Sequence, residues 1–66
     1  MCMMTVKYRD KDGERILMSN VTELIEKPHG VELTGLLDGS SFQLQLRVER
    51  IDFSHGMAWL CQKEFP

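Results

Sequence analysis

The chain has 66 residues, with 10 acidic and 8 basic side chains, so its formal net charge at neutral pH is −2. A chain of this length forms one domain, residues 1–66, and buries only about 60% of its unfolded surface, so a bound metal or a second copy would add needed stability. The charge balance excludes a global basic field for nucleic acid, and no apolar run approaches the roughly 20 residues that span a bilayer.

The N-terminal tetrapeptide Met1-Cys2-Met3-Met4 places a thiol one residue from the chain's free amine. If Met1 is retained, the Met1 amine, the Cys2 amide nitrogen and the Cys2 sulfur can close two five-membered chelate rings around one metal ion. Removal of Met1 would leave the amine and thiolate of Cys2, again in a five-membered ring. Square-planar nitrogen and sulfur donors suit nickel(II) or copper(II), and sulfur-rich tetrahedral sites suit zinc. The alternative is a small buried thiol that continues an apolar strand face.

Turn signals divide the rest of the chain into segments of strand length. They fall at Asp12-Gly13, Pro28-His29-Gly30, Asp38-Gly39 and His55-Gly56. The first segment is predicted to be a strand with one apolar face, formed by Cys2, Met4, Val6 and Tyr8. A hairpin then leads to a second predicted strand over residues 14–18.

Residues 20–27 fit either a short helix or a strand. Asn20 and Glu23 have the spacing of a helical capping box. The turn that follows, however, joins this segment to a predicted strand at residues 31–34, which favours an extended conformation. We therefore predict a strand here.

The clearest alternation of apolar and polar residues lies between residues 42 and 49. The apolar positions are Phe42, Leu44, Leu46 and Val48. The phase then changes, because Ile51 and Phe53 are odd-numbered. A two-residue period cannot change phase without an extra residue, so we predict a bulge or corner at Glu49-Arg50. Corners of this kind let a short sheet curl into a barrel.

The last segment, residues 57–61, is apolar on both faces, which predicts a central strand or one that a second subunit covers. Met57, Trp59 and Cys61 would share one face, and Ala58 and Leu60 the other. This is more apolar surface than one small core can hide, so we predict a homodimer. The expected fold is all-β, a small five- or six-stranded antiparallel barrel with no helix longer than about two turns.

The remaining candidate site residues carry weaker signals. His29 and His55 each precede a glycine in a turn, where imidazole is an ordinary exposed residue, although either could supply an outer metal ligand. Cys61 is expected to pack as a buried thiol. Two cysteines and no secretory signal indicate a reduced, cytoplasmic protein, which disfavours a Cys2–Cys61 disulfide. The sequence has no recognisable nucleophile with a base partner and no phosphate loop, so we do not expect an enzyme.

The opening Met1-Cys2-Met3, the chain length and the closing Arg50-Ile51-Asp52-Phe53 before a last apolar strand resemble the CooT family. These are small nickel-binding proteins linked to maturation of carbon monoxide dehydrogenase. The resemblance implies a compact SH3- or Sm-like barrel that dimerises and holds nickel near Cys2 at the subunit boundary. It also implies a metallochaperone or nickel-handling accessory role, with a nickel enzyme or its maturation factors as partner.

We hypothesise that one nickel(II) ion binds per dimer through the Cys2 thiolate of each chain, with the Met1 amine, the Cys2 amide or both as nitrogen donors. Two alternatives stay open. HypC-type hydrogenase maturation chaperones are also small β-barrels that begin Met-Cys, but they typically continue with Leu or Val, Ala and Pro, where this chain has Met3-Met4-Thr5. Similar sequences have also been described as predicted RNA-binding proteins, although the charge balance disfavours nucleic acid.

Overall fold

The computed structural model describes residues 3–63, and within this range the chain forms six β-strands and no helix. The all-β prediction is therefore confirmed. The strands are β1 (Met4–Asp10), β2 (Gly13–Lys27), β3 (Gly30–Gly35), β4 (Gly39–Leu44), β5 (Leu46–Asp52) and β6 (Met57–Gln62). Residues 20–27 belong to the long strand β2, as predicted, and the competing helical capping box does not form.

The six strands form one sheet in the order β4-β3-β2-β1-β6-β5. Neighbouring strands are antiparallel, as predicted, except that β1 and β6 run parallel. The parallel pair follows from the β5–β6 hairpin, whose turn lies at the end of the sheet where β1 begins. Strand β6 therefore starts beside the start of β1, with Thr5 opposite Met57, and runs in the same direction.

The sheet curls into a half-barrel because its two edge strands, β4 and β5, are consecutive in the chain. They are joined by Gln45 alone, whose backbone is in the left-handed region at φ 61°. The Gln45 amide donates to the His29 carbonyl, and its own carbonyl accepts from the Lys63 amide, both at 2.8 Å. This one residue thus ties the β2–β3 turn to the end of β6.

The alternating segment at 42–49 is two strands rather than one. The predicted irregularity at Glu49-Arg50 is confirmed, since the pairing of β5 with β6 shifts register between Val48 and Arg50. The corner at Gln45, however, was not predicted. Because the chain turns there, Leu46 packs against the core, whereas Leu44, just before the corner, is 66% exposed.

The buried core is small and comes from four of the strands. Its fully buried side chains are Val6, Val21, Val31, Leu33, Ala58 and Leu60. Strand β6 lies between β1 and β5, which confirms the central position predicted for it. Trp59, on its other face, is also buried, under the Arg50 guanidinium at 3.9 Å from the ring centroid. Much of the apolar surface of β6 is therefore covered within a single chain.

Candidate functional site

The predicted metal ligands, Met1 and Cys2, lie outside the residues that the structure describes, so their role stays a prediction. The structure does describe where the strand that follows them is anchored. The Thr5 amide donates a hydrogen bond of 2.8 Å to the Gly56 carbonyl. The Met3 carbonyl oxygen is also close to Gly56. A Cβ atom added to Gly56 would lie 3.5 Å from this oxygen. The segment from Met3 to Thr5 therefore lies against the β5–β6 turn.

We call this part of the molecule the N-terminal end. It contains the start of β1 at Met4, the start of β6 at Met57 and the end of β5 at Asp52. The β3–β4 turn lies at the same end, because Gly35 pairs with Val21, which in turn pairs with Met4. The opposite end carries the β1–β2 and β2–β3 turns.

The β5–β6 turn is organised around the carboxylate of Asp52. Its Oδ1 atom accepts hydrogen bonds from the Ser54 hydroxyl at 2.7 Å, the Ser54 amide at 3.0 Å and the His55 amide at 3.2 Å. Its Oδ2 atom lies 2.8 Å from Nδ1 of His55. These donors, the Ser54 hydroxyl first and the His55 imidazole second, lower the pKa of Asp52 to about 2.

This arrangement fixes the orientation of the His55 imidazole. Because the Asp52 carboxylate is an acceptor only, Nδ1 must carry the proton that it donates, which leaves the lone pair of the neutral ring on Nε2. The His55 side chain is 74% exposed, and no hydrogen bond reaches Nε2 from within residues 3–63. A carboxylate that holds the second nitrogen of a histidine is the usual support of a metal-binding imidazole.

The other two candidate residues lie away from the N-terminal end. His29 is in the β2–β3 turn, next to the Lys27–Gly30 pair at the opposite end. Cys61 is half-buried near the end of β6, level with Arg9 on β1. Arg9 is six residues beyond Met3, about 20 Å at the usual rise along a strand. The expectation that Cys2 and Cys61 form no disulfide involves a residue outside the described range and stays a prediction.

The N-terminal end also presents apolar side chains to solvent. Phe53 and Leu37, in its two turns, are 79% and 88% exposed. Further exposed apolar side chains at this end are Met3, Leu36 and Ile51. We call these five residues the apolar rim. A shallow groove of about 150 Å³ opens between Phe53, Met4 and Val21 and reaches the core beneath.

The described residues do not form a metal site by themselves. Within residues 3–63, no three His, Cys, Asp or Glu side chains lie close enough together to hold one ion. The histidine–carboxylate pair was missed in the sequence, although Asp52-Phe53-Ser54-His55 has the spacing of a side-chain-capped turn.

Comparison with known proteins identifies a family and similar solved structures. The family model described as "CO dehydrogenase accessory protein CooT" matches residues 1–60. The fold is similar to a crystal structure assigned to CooT from Carboxydothermus hydrogenoformans, with a TM-score of 0.83, 16% identity, and coverage of 96% of this chain and 100% of the other. No curated protein matches the chain. Across the described residues, no helix has the length and apolar character needed to cross a membrane.

Proposed function

Since the chain belongs to the CooT family of CO dehydrogenase accessory proteins, we propose that it binds nickel(II) as cargo and serves the maturation of a nickel enzyme. The family match also favours this function over that of a HypC-type chaperone. It begins at residue 1 and so includes the Met1-Cys2 donors. A cytoplasmic location belongs to the proposal, because a reducing compartment keeps the Cys2 thiol free to ligate.

The observation that carries the proposal is the anchoring of the strand that follows Cys2. This strand, β1, pairs with both β2 and β6. The hydrogen bond from Thr5 to Gly56 holds it in the sheet up to its first residues. The amine, amide and thiol donors are thus attached to a fixed part of the molecule. Binding must release protons from the thiol and the amide, so affinity should fall as the pH falls below neutrality.

The proposed assembly is a homodimer that pairs through the N-terminal end. The apolar rim supports this arrangement, because Phe53 and Leu37 are large, exposed and close to the start of the chain. The apolar residues of β6, which suggested a dimer in the sequence, are largely covered within the monomer and give less support. A two-fold axis through the rim would bring two Cys2 residues towards one metal ion.

Titration with nickel(II), followed by absorption spectroscopy, tests the proposal. Wild-type protein should develop charge-transfer bands from thiolate to nickel that saturate at one ion per dimer. Cys2→Ser should lose these bands, and chemical blocking of the N-terminal amine should weaken binding. Cys61→Ser is the matched control. The Cys61 thiol is on β6, beside the far end of β1, so this substitution should leave the titration unchanged. Retention of wild-type affinity and spectrum by Cys2→Ser would refute the proposal.

A further inference from the structure

We propose that the free edge of strand β4 docks an extended, basic segment of a partner protein, which adds a strand to the sheet. This interaction is separate from the proposed nickel site and does not depend on it. It rests on three features of the described residues: the backbone groups that β4 leaves free, the protection of the other sheet edges, and the charge of this half of the sheet.

The first feature is a row of backbone groups on β4 that point away from the sheet. Hydrogen-bonded and non-hydrogen-bonded pairs alternate along an antiparallel ladder. The Gln45 amide donates to the His29 carbonyl, and this fixes the alternation between β3 and β4. The residues whose amides and carbonyls point outwards are therefore Ser40, Phe42 and Leu44. Within residues 3–63, no side chain or loop donates to these carbonyls or accepts from these amides.

The second feature is the contrast with the other edge strand, β5, which is protected against pairing. The Val48 amide points outwards there, and it donates to the Glu26 carboxylate at 2.8 Å. A bulge interrupts the strand between Val48 and Arg50. Charged side chains stand at Arg47, Glu49, Arg50 and Asp52. Charges and bulges of this kind are the usual means by which proteins prevent a further strand from adding to an edge.

Strand β4 has none of these devices. Its six residues, Gly39–Leu44, include no charge and no proline, and its pairing with β3 runs without a register shift. The first half of β2 pairs with β1 but not with β3, and this stretch of free edge carries Glu14 and Arg15. The chain thus protects its other edges and leaves β4 open. An open edge is the surface to which an extended peptide adds as a further strand.

The third feature is the chemistry beside this edge. Residues 20–44, which form the half of the sheet that ends in β4, contain four carboxylates and one cation, Lys27, a net charge of −3. The rest of the chain has a net charge of +1. A basic segment therefore complements this half of the sheet. A second copy of β4 does not, because two copies of this edge would bring like charges together.

The exposed side chains of β4 fit the same kind of segment. Phe42 and Leu44 are 45% and 66% exposed. The Phe42 ring rests on Gly30, where an added Cβ atom would lie only 2.9 Å from the ring atom Cζ. The ring is thus held in place, and its exposed part can receive a lysine or arginine from a neighbouring strand. Apolar residues that alternate with the cations would pack beside Leu44.

Nuclear magnetic resonance of the isotope-labelled full chain tests the inference with two capped synthetic peptides. One peptide alternates lysine with valine, and the other alternates glutamate with valine. The lysine–valine peptide should shift the amide resonances of Phe42 and Leu44 and slow their hydrogen exchange, because it accepts from these amides. The Val48 amide, on the protected edge, should not change. The glutamate–valine peptide should leave all three amides unchanged.

Two variants locate the binding surface. Phe42→Lys should weaken binding of the lysine–valine peptide at least about 10-fold, because it replaces the ring with a charge like those of the peptide. Ile16→Lys is the matched control, since it replaces an exposed apolar side chain of β2 away from β4, and it should bind as wild type does. Circular dichroism of both variants checks that the sheet is intact.

Three results would overturn the inference. The first is that the lysine–valine peptide leaves the Phe42 and Leu44 resonances in place. The second is equal binding of the two peptides, because the charge of the partner would then play no part. The third is a smaller sedimenting mass for Phe42→Lys than for wild type, because a second copy of the chain would then occupy the edge. The nickel titration of Cys2→Ser tests the proposed function independently of all three.

Discussion

Asp52 at the end of β5 forms a hydrogen-bonded polar group with Ser54 and His55 in the turn that follows. Asp52 accepts hydrogen bonds from Ser54 and His55. Among the described residues, no carboxylate holds the His29 ring in this way, and the His29 carbonyl accepts a hydrogen bond from the Gln45 amide. The two histidines look alike in sequence, since each precedes a glycine in a turn. They differ in the residue three positions earlier, which is Asp52 for His55 and Glu26 for His29, and the Glu26 carboxylate instead accepts from the Val48 amide.

We predict that the carboxyl group of Asp52 titrates at about pH 2 in the metal-free protein. Because the folded state favours the carboxylate, its stabilising effect is fully present above the ordinary pKa of 3.8 and is lost as the pH falls through about 2. Ser54→Ala should raise this pKa, since the Ser54 hydroxyl makes the largest contribution. Carbon-detected NMR titration measures both values. A midpoint near 3.8 in wild type would contradict the prediction.

Among the elements, the two edge strands show most clearly what the sequence could and could not predict. The bulge in β5 was predictable because a change of phase in an alternating pattern requires an extra residue. The corner at Gln45 was not, because the apolar alternation continues through it and glutamine carries no preference for the left-handed region. The β1–β6 pair joins residues about 50 positions apart, and local patterns contain no information on such pairings. The position of Gly56 beside Met3 depends on that pair, so this part of the N-terminal end could not be predicted either.

The corner gives a prediction on stability. Gln45→Val should lower the free energy of unfolding by about 1 kcal/mol or more, because a β-branched residue is strained at positive φ. Gln45→Gly should not lower it. Gln43→Val, the same change two residues earlier within β4, is the control and should be tolerated, since valine favours extended strands.

Urea unfolding followed by circular dichroism measures all three variants. Equal losses in Gln45→Val and Gln43→Val would show that the backbone at residue 45 is not strained. A large loss in Gln45→Gly would show that the glutamine side chain, rather than the backbone, holds the corner.

At the scale of the whole molecule, apolar surface is exposed at both ends, but only one end is close to the start of the chain. The apolar rim lies there, and Leu44 lies at the other end, opposite Gly30. This distribution lets the proposed dimer interface be tested against a surface of similar chemistry in the same protein.

We predict that Phe53→Ser combined with Leu37→Ser converts the proposed dimer to a monomer of about 7.7 kDa. Each substitution removes a large exposed side chain from the interface and should leave the core intact. Leu44→Ser, which removes a similarly exposed leucine at the opposite end, should remain dimeric. Sedimentation velocity at micromolar concentration distinguishes the species. A wild-type protein that sediments only as a monomer would rule out the assembly.

The pairing of the first strand with the last determines when the protein can become competent during its synthesis. Strand β1 leaves the ribosome first, but one of its two neighbours, β6, ends only at Gln62. Until β6 has emerged, β1 is held on one side only, and the 53–56 turn that lies against Met3 and Thr5 is not yet in place. The proposed nickel site therefore cannot reach its final arrangement before β6 has paired with β1.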